Sequence, residues 1–252
     1  MRRILAILAV FALYQGAQAQ FNAASTLTPR AGSEWHRWAE HSGIGSSAFE
    51  LITKDSTYTH LAANDTIEVV GGAAADTVRL RLFGVLASDS SYSSDTIRVM
   101  GTDVRKSTKR FLAYEFAKVD SPMAVQSPGT AITIRRYTSD THLDFLFPGD
   151  MATYAAQKFA DRSTRLKAWQ VGVTSTTGAV TFELRYYPDV RDTRDQGDDF
   201  YVLDRAFVPA GTTNPVYIPL NGLIVPRGWI AIFGQASAAG ADGVAHIWGD
   251  EQ

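Results

Sequence analysis

The fold class is decided by two adjacent stretches, RLKAWQVGV at residues 165–173 and AVTFELRYY at residues 179–187. Polar and apolar residues alternate along both stretches, and the turn-forming residues Thr176, Thr177 and Gly178 separate them. A period of two residues places one face of a strand on a core and the other face in water. The pair therefore predicts a β-hairpin in a sheet with one buried face.

Short strands recur before and after this hairpin. Three upstream strands begin alike, with Asp-Thr-Ile or Asp-Thr-Val at residues 65–67, 76–78 and 95–97, where Asp suits the turn and the β-branched residues suit the pleat. No stretch sustains a helical period of 3.6 residues over four turns. We therefore predict an all-β protein with two tandem domains, each a β-sandwich or jelly-roll-like module, at residues 48–140 and 141–252.

The composition of the 252 residues is that of an ordinary globular protein, with 45% hydrophobic and 20% charged residues. The formal net charge of −2 gives no long-range attraction to nucleic acid, so we expect no nucleic-acid partner. The absence of cysteine excludes disulfides, thiolate metal sites and cysteine nucleophiles. Together these observations favour a structural role without a cofactor.

The first 19 residues have the three parts of a secretory signal. Arg2 and Arg3 form a basic region, residues 4–14 form an apolar run too short to cross a bilayer as a helix, and residues 17–19 form an A-x-A cleavage site. The alternative is that the segment is retained as a hydrophobic arm that docks on a neighbouring subunit.

Residues 20–47 show no strand period and are predicted to form an extended arm, with one helical turn at residues 35–41. The apolar side chains of the arm and of the segment before it are the expected interaction residues: Trp35, Trp38, Phe11 and Leu13. Apolar segments of this kind seldom stay exposed, so a retained arm is expected to pack against another subunit or a membrane. Deleting residues 1–47 is then expected to leave both domains folded and to abolish assembly.

An acidic loop at residues 189–199 is the best metal candidate. Four aspartates repeat every three residues along it: Asp189, Asp192, Asp195 and Asp198. Calcium needs several oxygens that converge on one point, and the calcium loop of an EF-hand alternates by two residues and ends in Glu. Arg191 and Arg194 would also repel a cation. We therefore expect a solvated hairpin tip and no bound metal.

The residue patterns of common enzymes are missing from the sequence. There is no Gly-x-Ser-x-Gly elbow, no phosphate loop and no dinucleotide-binding fingerprint. His36 and His41 are five residues apart, a spacing that puts them on different faces of a helix, unlike the histidine pair of zinc proteases. We therefore expect no enzymatic activity, no zinc and no cofactor.

Two parts of the chain carry a resemblance to known proteins. One is DTIRVMGT at residues 95–102 followed by STKRF at residues 107–111. The other is the series of strands at residues 165–173, 179–187 and 200–207 with VPRG at residues 225–228 beyond them. Both resemble accessory virion proteins of tailed bacteriophages, in which β-sandwich or jelly-roll modules coat or decorate a particle.

The resemblance implies a non-enzymatic virion structural protein, a capsid-associated, decoration or minor-capsid component. It implies a location in the virion, partners among the major capsid protein or neighbouring subunits, and a homo-oligomer. The signal-like segment supports an alternative, an exported bacterial β-sandwich protein that binds a surface polymer or a partner protein. Such a protein would be secreted, periplasmic or on the cell surface after cleavage.

Overall fold

The structure is a computed structural model that describes residues 34–61, 63–74, 77–120, 129–175, 177–189, 199–212 and 214–252. These residues form antiparallel β-sheets and contain no helix, which confirms the all-β prediction. Within them, no helix is long and apolar enough to cross a membrane. The predicted signal at residues 1–19 lies outside the described residues.

The described residues form fifteen strands. Their bounds are β1 (Glu34–Ile44), β2 (Glu50–Leu51), β3 (Asp65–Val70), β4 (Thr77–Leu86), β5 (Tyr92–Met100), β6 (Val104–Val119), β7 (Ile132–Arg136), β8 (His142–Leu146), β9 (Gln157–Ala160), β10 (Thr164–Val173), β11 (Val180–Tyr187), β12 (Tyr201–Val208), β13 (Val216–Val225), β14 (Gly228–Ala236) and β15 (Ala241–Glu251). The stretches at residues 165–173 and 179–187 form the predicted strands β10 and β11, but these belong to different sheets and do not pair with each other, so the predicted β-hairpin is wrong.

Nine of these strands, β1, β2 and β9 to β15, form a sandwich of two sheets. One sheet has the order β1-β15-β10-β13, and the other has the order β12-β11-β14, with β2 and β9 both pairing with β14. Because β2 and β9 lie end to end along β14, they form one interrupted strand. Numbering the resulting eight strands along the chain gives the orders 1-8-3-6 and 5-4-7-2, the jelly-roll arrangement of two Greek keys.

The other six strands lie within the interrupted strand of the sandwich. They form one sheet with the order β5-β4-β6-β3-β7-β8. The two ends of this segment meet where the Ala156 amide donates to the Ile52 carbonyl at 2.8 Å and where Thr53 pairs with Ala155. We call residues 54–155 the insert and the rest of the described chain the jelly roll.

This nesting differs from the tandem division predicted at residues 140 and 141. β8 lies beyond that boundary but pairs with β7 of the insert sheet. β2 lies in the predicted first domain but pairs with β14 of the jelly roll. The alternation of polar and apolar residues predicts which side chains of a strand are buried but not which strand it pairs with. Strand patterns in the sequence therefore do not distinguish a unit inserted in another from two units in tandem.

The predicted arm at residues 20–47 contains a strand of the jelly roll. β1 pairs with β15 over its whole length, so the helical turn predicted at residues 35–41 is wrong. Alternate side chains of β1, including Trp35 and Ala39, are buried between the sheets, as the period of a strand requires. The Trp35 indole donates a hydrogen bond to the Thr164 hydroxyl at 3.0 Å inside the core. Residues 20–33 lie outside the described part of the chain.

Three clusters of buried apolar residues stabilise the jelly roll, the insert and the contact between them. One fills the space between the jelly-roll sheets around Trp169 and Phe182. A second lies within the insert around Phe111. The third joins the units, with Val85 from the insert and Trp229 from the jelly roll among its members. The insert therefore has a core of its own and an apolar joint to the jelly roll.

A buried ionic network crosses the same joint. Glu115 of the insert is fully buried, and its Oε1 accepts hydrogen bonds from Arg37 of the jelly roll, at 3.1 Å from Nε and 2.7 Å from Nη2. Lys158 Nζ lies 4.0 Å from Glu115 Oε2 and 3.2 Å from Glu251 Oε1. Burial alone would raise the pKa of Glu115, but Lys158 and Arg37 hold it below its usual value. These charged groups connect the insert to three strands of the jelly roll, β1, β9 and β15.

Candidate assembly surface

The two strands β12 and β13 are the outer edges of the two jelly-roll sheets, and they lie on the same side of the sandwich. Trp169 of β10 shows this arrangement, because it lies opposite Ile218 of β13 while its indole donates to Asp204 of β12 at 2.9 Å. We call residues 200–225 the β12–β13 edge.

Large apolar side chains are concentrated on the β12–β13 edge. Eight of the eleven most exposed ones in the described residues lie there: Phe200, Tyr201, Val202, Phe207, Val216, Tyr217, Leu223 and Ile224. Tyr201, Phe207 and Ile224 are 62%, 65% and 60% exposed. An exposed apolar patch of this kind on a soluble protein marks an interaction site.

Pairs of adjacent apolar residues in the sequence mark this edge, and a search for alternating residues does not detect them. Apolar residues stand next to each other at Tyr201-Val202, at Tyr217-Ile218 and at Leu223-Ile224 instead of alternating. Adjacent apolar residues in a strand put apolar side chains on both faces, and only one of these faces meets the core. Such pairs at the edge of a sheet therefore expose apolar surface.

The backbone of β13 limits how a partner can bind. In the described residues β13 pairs only with β10, so its other side carries unpaired polar groups. Pro219 has no N–H to donate, and Asn221 and Gly222 have positive φ angles of 50° and 75° at a bulge. These interruptions oppose continuous strand addition and favour contact through side chains.

The outer face of the four-stranded sheet continues the apolar surface. Two in-register rows cross it from β1 to β13: His36, Trp248, Ala168 and Pro219, then Trp38, His246, Gln170 and Tyr217. The His246 ring stacks on Trp248 with centroids 4.5 Å apart, and Tyr217 lies 5.7 Å from the same indole. An aromatic platform therefore runs inward from the β12–β13 edge.

The histidines of this platform are held neutral. His36 Nδ1 and His246 Nε2 are 3.1 Å apart. Burial, with a smaller contribution from His36, lowers the pKa of His246 to about 3. Burial also lowers the pKa of His36, although Glu34 opposes this. Two charged imidazoles at this distance would repel each other, so the pair behaves as an aromatic, uncharged part of the face at neutral pH.

The predicted interaction residues are placed differently from one another. Trp35 fills the core of the jelly roll, so it is not a surface contact, because the strand period turns it inward. Trp38 lies on the outer face in the second aromatic row, with its ring 5.7 Å from that of Tyr154. Phe11 and Leu13 lie outside the described residues.

The predicted acidic loop is described only at its ends. Asp189 is exposed, while Asp192, Asp195 and Asp198 lie outside the described residues. Among the residues with described positions, no three His, Asp or Glu side chains are arranged to hold a metal ion. Whether the loop binds calcium therefore stays a prediction.

Comparison with known proteins gives no family. No family of known proteins and no curated protein matches the sequence. Among solved structures, the chain is similar to that of infectious bursal disease virus Gx strain, with a TM-score of 0.23 and 11% identity over 88% of this chain and 74% of that chain. It is also similar to the Gt strain structure, with a TM-score of 0.20 and 11% identity over 90% and 78% of the two chains.

A VP2 subviral particle of the same virus is similar too, with a TM-score of 0.21 and 9% identity over 90% of this chain and 78% of that chain. These structures belong to a virus and its capsid particle, and none of the three comes from a tailed bacteriophage. At such TM-scores a similarity supports no conclusion about this chain. The fold assignment therefore depends on strand order alone.

Proposed function

We propose that this chain is a non-enzymatic structural subunit of a virion, and that it assembles with copies of itself through the β12–β13 edge. The observation that carries the proposal is a jelly roll with eight large apolar side chains exposed along one side. Jelly rolls are recurrent in viral capsids, although the fold hosts other functions as well. The proposal extends to the finer role suggested by the sequence, a capsid-associated or decoration component.

The energetics fit an assembly surface. Fully burying one large apolar side chain contributes roughly 1.5–3 kcal/mol. Association of two proteins costs on the order of 4–15 kcal/mol in lost freedom of motion, so several such side chains must be buried together. The β12–β13 edge exposes eight such side chains along one side of the sandwich, which is enough to meet this cost.

The test is a charge placed on the β12–β13 edge. Ile224→Asp introduces a carboxylate at an exposed position, so the fold should tolerate it while any interface there should not. We expect sedimentation velocity and electron microscopy to show assemblies of the parent protein and a monomer for the variant. Met100→Asp is the matched control, because Met100 is an exposed apolar residue of the insert, away from the edge. A parent protein that stays monomeric at high concentration, or an Ile224→Asp variant that assembles normally, would refute the proposal.

A second candidate function has one observation in its favour. The aromatic platform of Trp248 and Tyr217, flanked by the Gln170 amide, is a flat surface with polar groups beside it, as binding to a surface polymer would require. This is the exported bacterial protein of the alternative hypothesis. Affinity electrophoresis in gels containing cell-wall polysaccharide would show retardation that Trp248→Ala and Tyr217→Ala abolish. A mature chain that begins at Gln20 in the native source would support export.

A further inference from the structure

A cavity of about 380 Å³ lies where the chain leaves the jelly roll for the insert. Its lining comes from β1, β2, β11, β14 and the segment that follows Thr53. The polar side chains that matter are His41, Glu50 and Arg185, and Phe49 and Phe233 form an apolar wall. A concave site with a few convergent polar groups is the usual form of a small-ligand site. The proposed assembly function makes no use of it.

His41 is buried beside this cavity, and its hydrogen bonding fixes which nitrogen carries the proton. Nδ1 lies 3.1 Å from the carbonyl oxygen of Thr53. A carbonyl oxygen only accepts, so Nδ1 must donate, and the proton of the neutral ring is on Nδ1. The Nε2 atom of the neutral ring then has a lone pair and no proton.

The ring is neutral despite its acidic surroundings. Burial lowers the pKa of His41, and this effect outweighs the opposite effects of Glu50, of the hydrogen bond to Thr53 and of two further carboxylates, Asp242 and Asp55. At neutral pH the side chain is therefore an uncharged acceptor in a field of negative charge.

The Nε2 atom of His41 faces a second acceptor. It lies 3.5 Å from Oε2 of Glu50, which also accepts the amide hydrogen of Gly45 at 3.2 Å. A lone pair and a carboxylate oxygen do not attract each other, so His41 Nε2 needs a donor from elsewhere and Glu50 Oε2 can accept a second one. The Glu50 side chain is 40% exposed, so a ligand can reach it from solvent.

The positive charge of Arg185 does not cancel this acceptor pair. Its Nε and Nη2 atoms donate to Oε2 of Glu183 at 2.8 and 2.7 Å, so these donors are engaged by Glu183, which Arg205 also contacts. Its guanidinium also lies against the rings of Phe49 and Phe233, 4.8 and 4.6 Å from their centroids. Among the described residues, no Arg or Lys forms an ion pair with the Glu50 carboxylate, whose neighbour at the cavity is His41.

We propose that this cavity binds a primary ammonium group, which donates to His41 Nε2 and to the Glu50 carboxylate while its carbon chain lies along the apolar wall. An ammonium carries three donors and no acceptor, which is the complement of this site. Two sources have this chemistry, a free diamine and a lysine side chain of a partner protein. The inference is independent of the β12–β13 edge.

Isothermal titration calorimetry with two probes tests the proposal. 1,5-Diaminopentane represents a free diamine, and Nα-acetyl-lysine amide represents a lysine side chain. Glu50→Gln is the decisive variant, because its amide oxygen can still accept from Gly45 while its amide nitrogen can donate to His41 Nε2. We expect this variant to weaken binding at least about tenfold, the typical effect of losing a charge-assisted hydrogen bond.

The matched control is Glu40→Gln. Glu40 precedes His41 on β1 and so points to the opposite face of the strand, which means that its loss of charge should leave binding unchanged. Tight binding of the diamine alone identifies a small-molecule site, and tight binding of the lysine derivative identifies a site for a partner protein. In ¹⁵N spectra of the full chain, either probe should shift the resonance of His41 Nε2.

Three results would overturn the proposal. The first is equal binding of 1,5-pentanediol, which lacks the charge. The second is a Glu50→Gln variant that binds both probes as the parent does. The third is saturation of the His41 resonance shift by Zn²⁺ alone with no response to either amine, which would make the pair part of a metal site.

Discussion

The jelly roll and the insert are both antiparallel β units with buried cores. In the jelly roll burial shifts the pKa of a base, and in the insert it shifts the pKa of an acid. In the jelly roll, burial lowers the pKa of His246 to about 3. In the insert, burial raises the pKa of Asp144 to about 7, even though the Tyr114 hydroxyl donates to it at 3.0 Å. Loss of hydration disfavours the charged form in both cases, and the charged form is protonated for a base and deprotonated for an acid. His246 and Asp144 therefore make opposite contributions to the pH dependence of stability in their two units.

The largest expected effect is that of a deletion that destroys one unit and spares the other. Removing residues 1–47 takes away β1, which carries buried Trp35 and Ala39 and pairs along the whole of β15. We expect the jelly roll to unfold and the insert, which has its own core, to remain folded. All five tryptophans lie in the jelly roll, and Trp169, Trp229 and Trp248 remain after the deletion, so their emission reports that unit alone.

Deletion of residues 1–33 is the control, because it leaves β1 intact. We expect its tryptophan emission and melting to match those of the full chain, while amide hydrogen exchange reports on the insert in both deletions. If the three tryptophans that remain after deletion of residues 1–47 keep the blue-shifted emission of a folded jelly roll, the arm is dispensable for folding.

The next effect concerns the joint that couples the two units. Glu115→Ala leaves Arg37 without its carboxylate partner and Lys158 with Glu251 alone, all in buried positions. Breaking a buried ion pair by removing one partner typically costs about 3–5 kcal/mol. We expect urea unfolding to show a loss of this order.

The surface pair of Glu34 and Lys167 provides the comparison for Glu115. Their charged atoms lie 3.2 Å apart, but both side chains are well exposed. Glu34→Ala should therefore change the free energy of unfolding by less than about 1 kcal/mol. If Glu115→Ala is as mild as Glu34→Ala, the ionic network does not hold the joint.

The opposite pH responses give a third test. Between pH 6.5 and about 3 the unfolded chain protonates His246 and the folded chain does not, so the jelly roll loses stability as the pH falls through this window. Between pH 3.8 and about 7 the folded chain keeps the proton of Asp144 and the unfolded chain loses it, so the insert loses stability as the pH rises. Each effect should be on the order of 2–4 kcal/mol across its window.

One substitution in each unit separates these contributions. Asp144→Asn should remove the loss that the insert shows as the pH rises, because the amide does not ionise. His246→Gln should reduce the loss that the jelly roll shows under acid, measured by tryptophan emission in urea. Exchange rates of β7 and β8 amides, corrected for the intrinsic effect of pH, report on the insert. A jelly roll that gains stability from pH 6.5 to pH 4 would contradict the assignment to His246.

How much of the molecule the sequence predicts depends on which strand is considered. β10 and β11 follow from alternation because their core-facing side chains, such as Trp169 and Phe182, are apolar, although Glu183 and Arg185 on the other face of β11 are buried as well. β1 does not, because the charged residue Arg37 and the imidazole of His41 stand at buried positions and find their partners in distant segments. Local patterns report burial only when the buried residues are apolar.

The alternation of polar and apolar residues predicts neither the nesting of the insert nor the candidate assembly surface, for two different reasons. β2 has two residues and pairs with β14 some 180 residues along the chain, which no local pattern specifies. The β12–β13 edge does have a sequence signal in its adjacent apolar residues. That signal predicts exposed apolar surface only once both strands are known to lie at sheet edges.

The smallest expected effect tests a single hydrogen-bonded position inside the jelly roll. Thr164 accepts from the Trp35 indole at 3.0 Å, and its hydroxyl donates to the Asp250 carbonyl at 2.8 Å. Thr164→Val keeps the shape and the strand propensity but leaves the buried indole N–H without its partner, which should cost about 1–3 kcal/mol. We expect tryptophan-detected melting to fall by several degrees while hydrogen exchange in the insert stays unchanged. An equal change in both units would mean that the joint transmits even this loss, and that the jelly roll and the insert unfold as one cooperative unit.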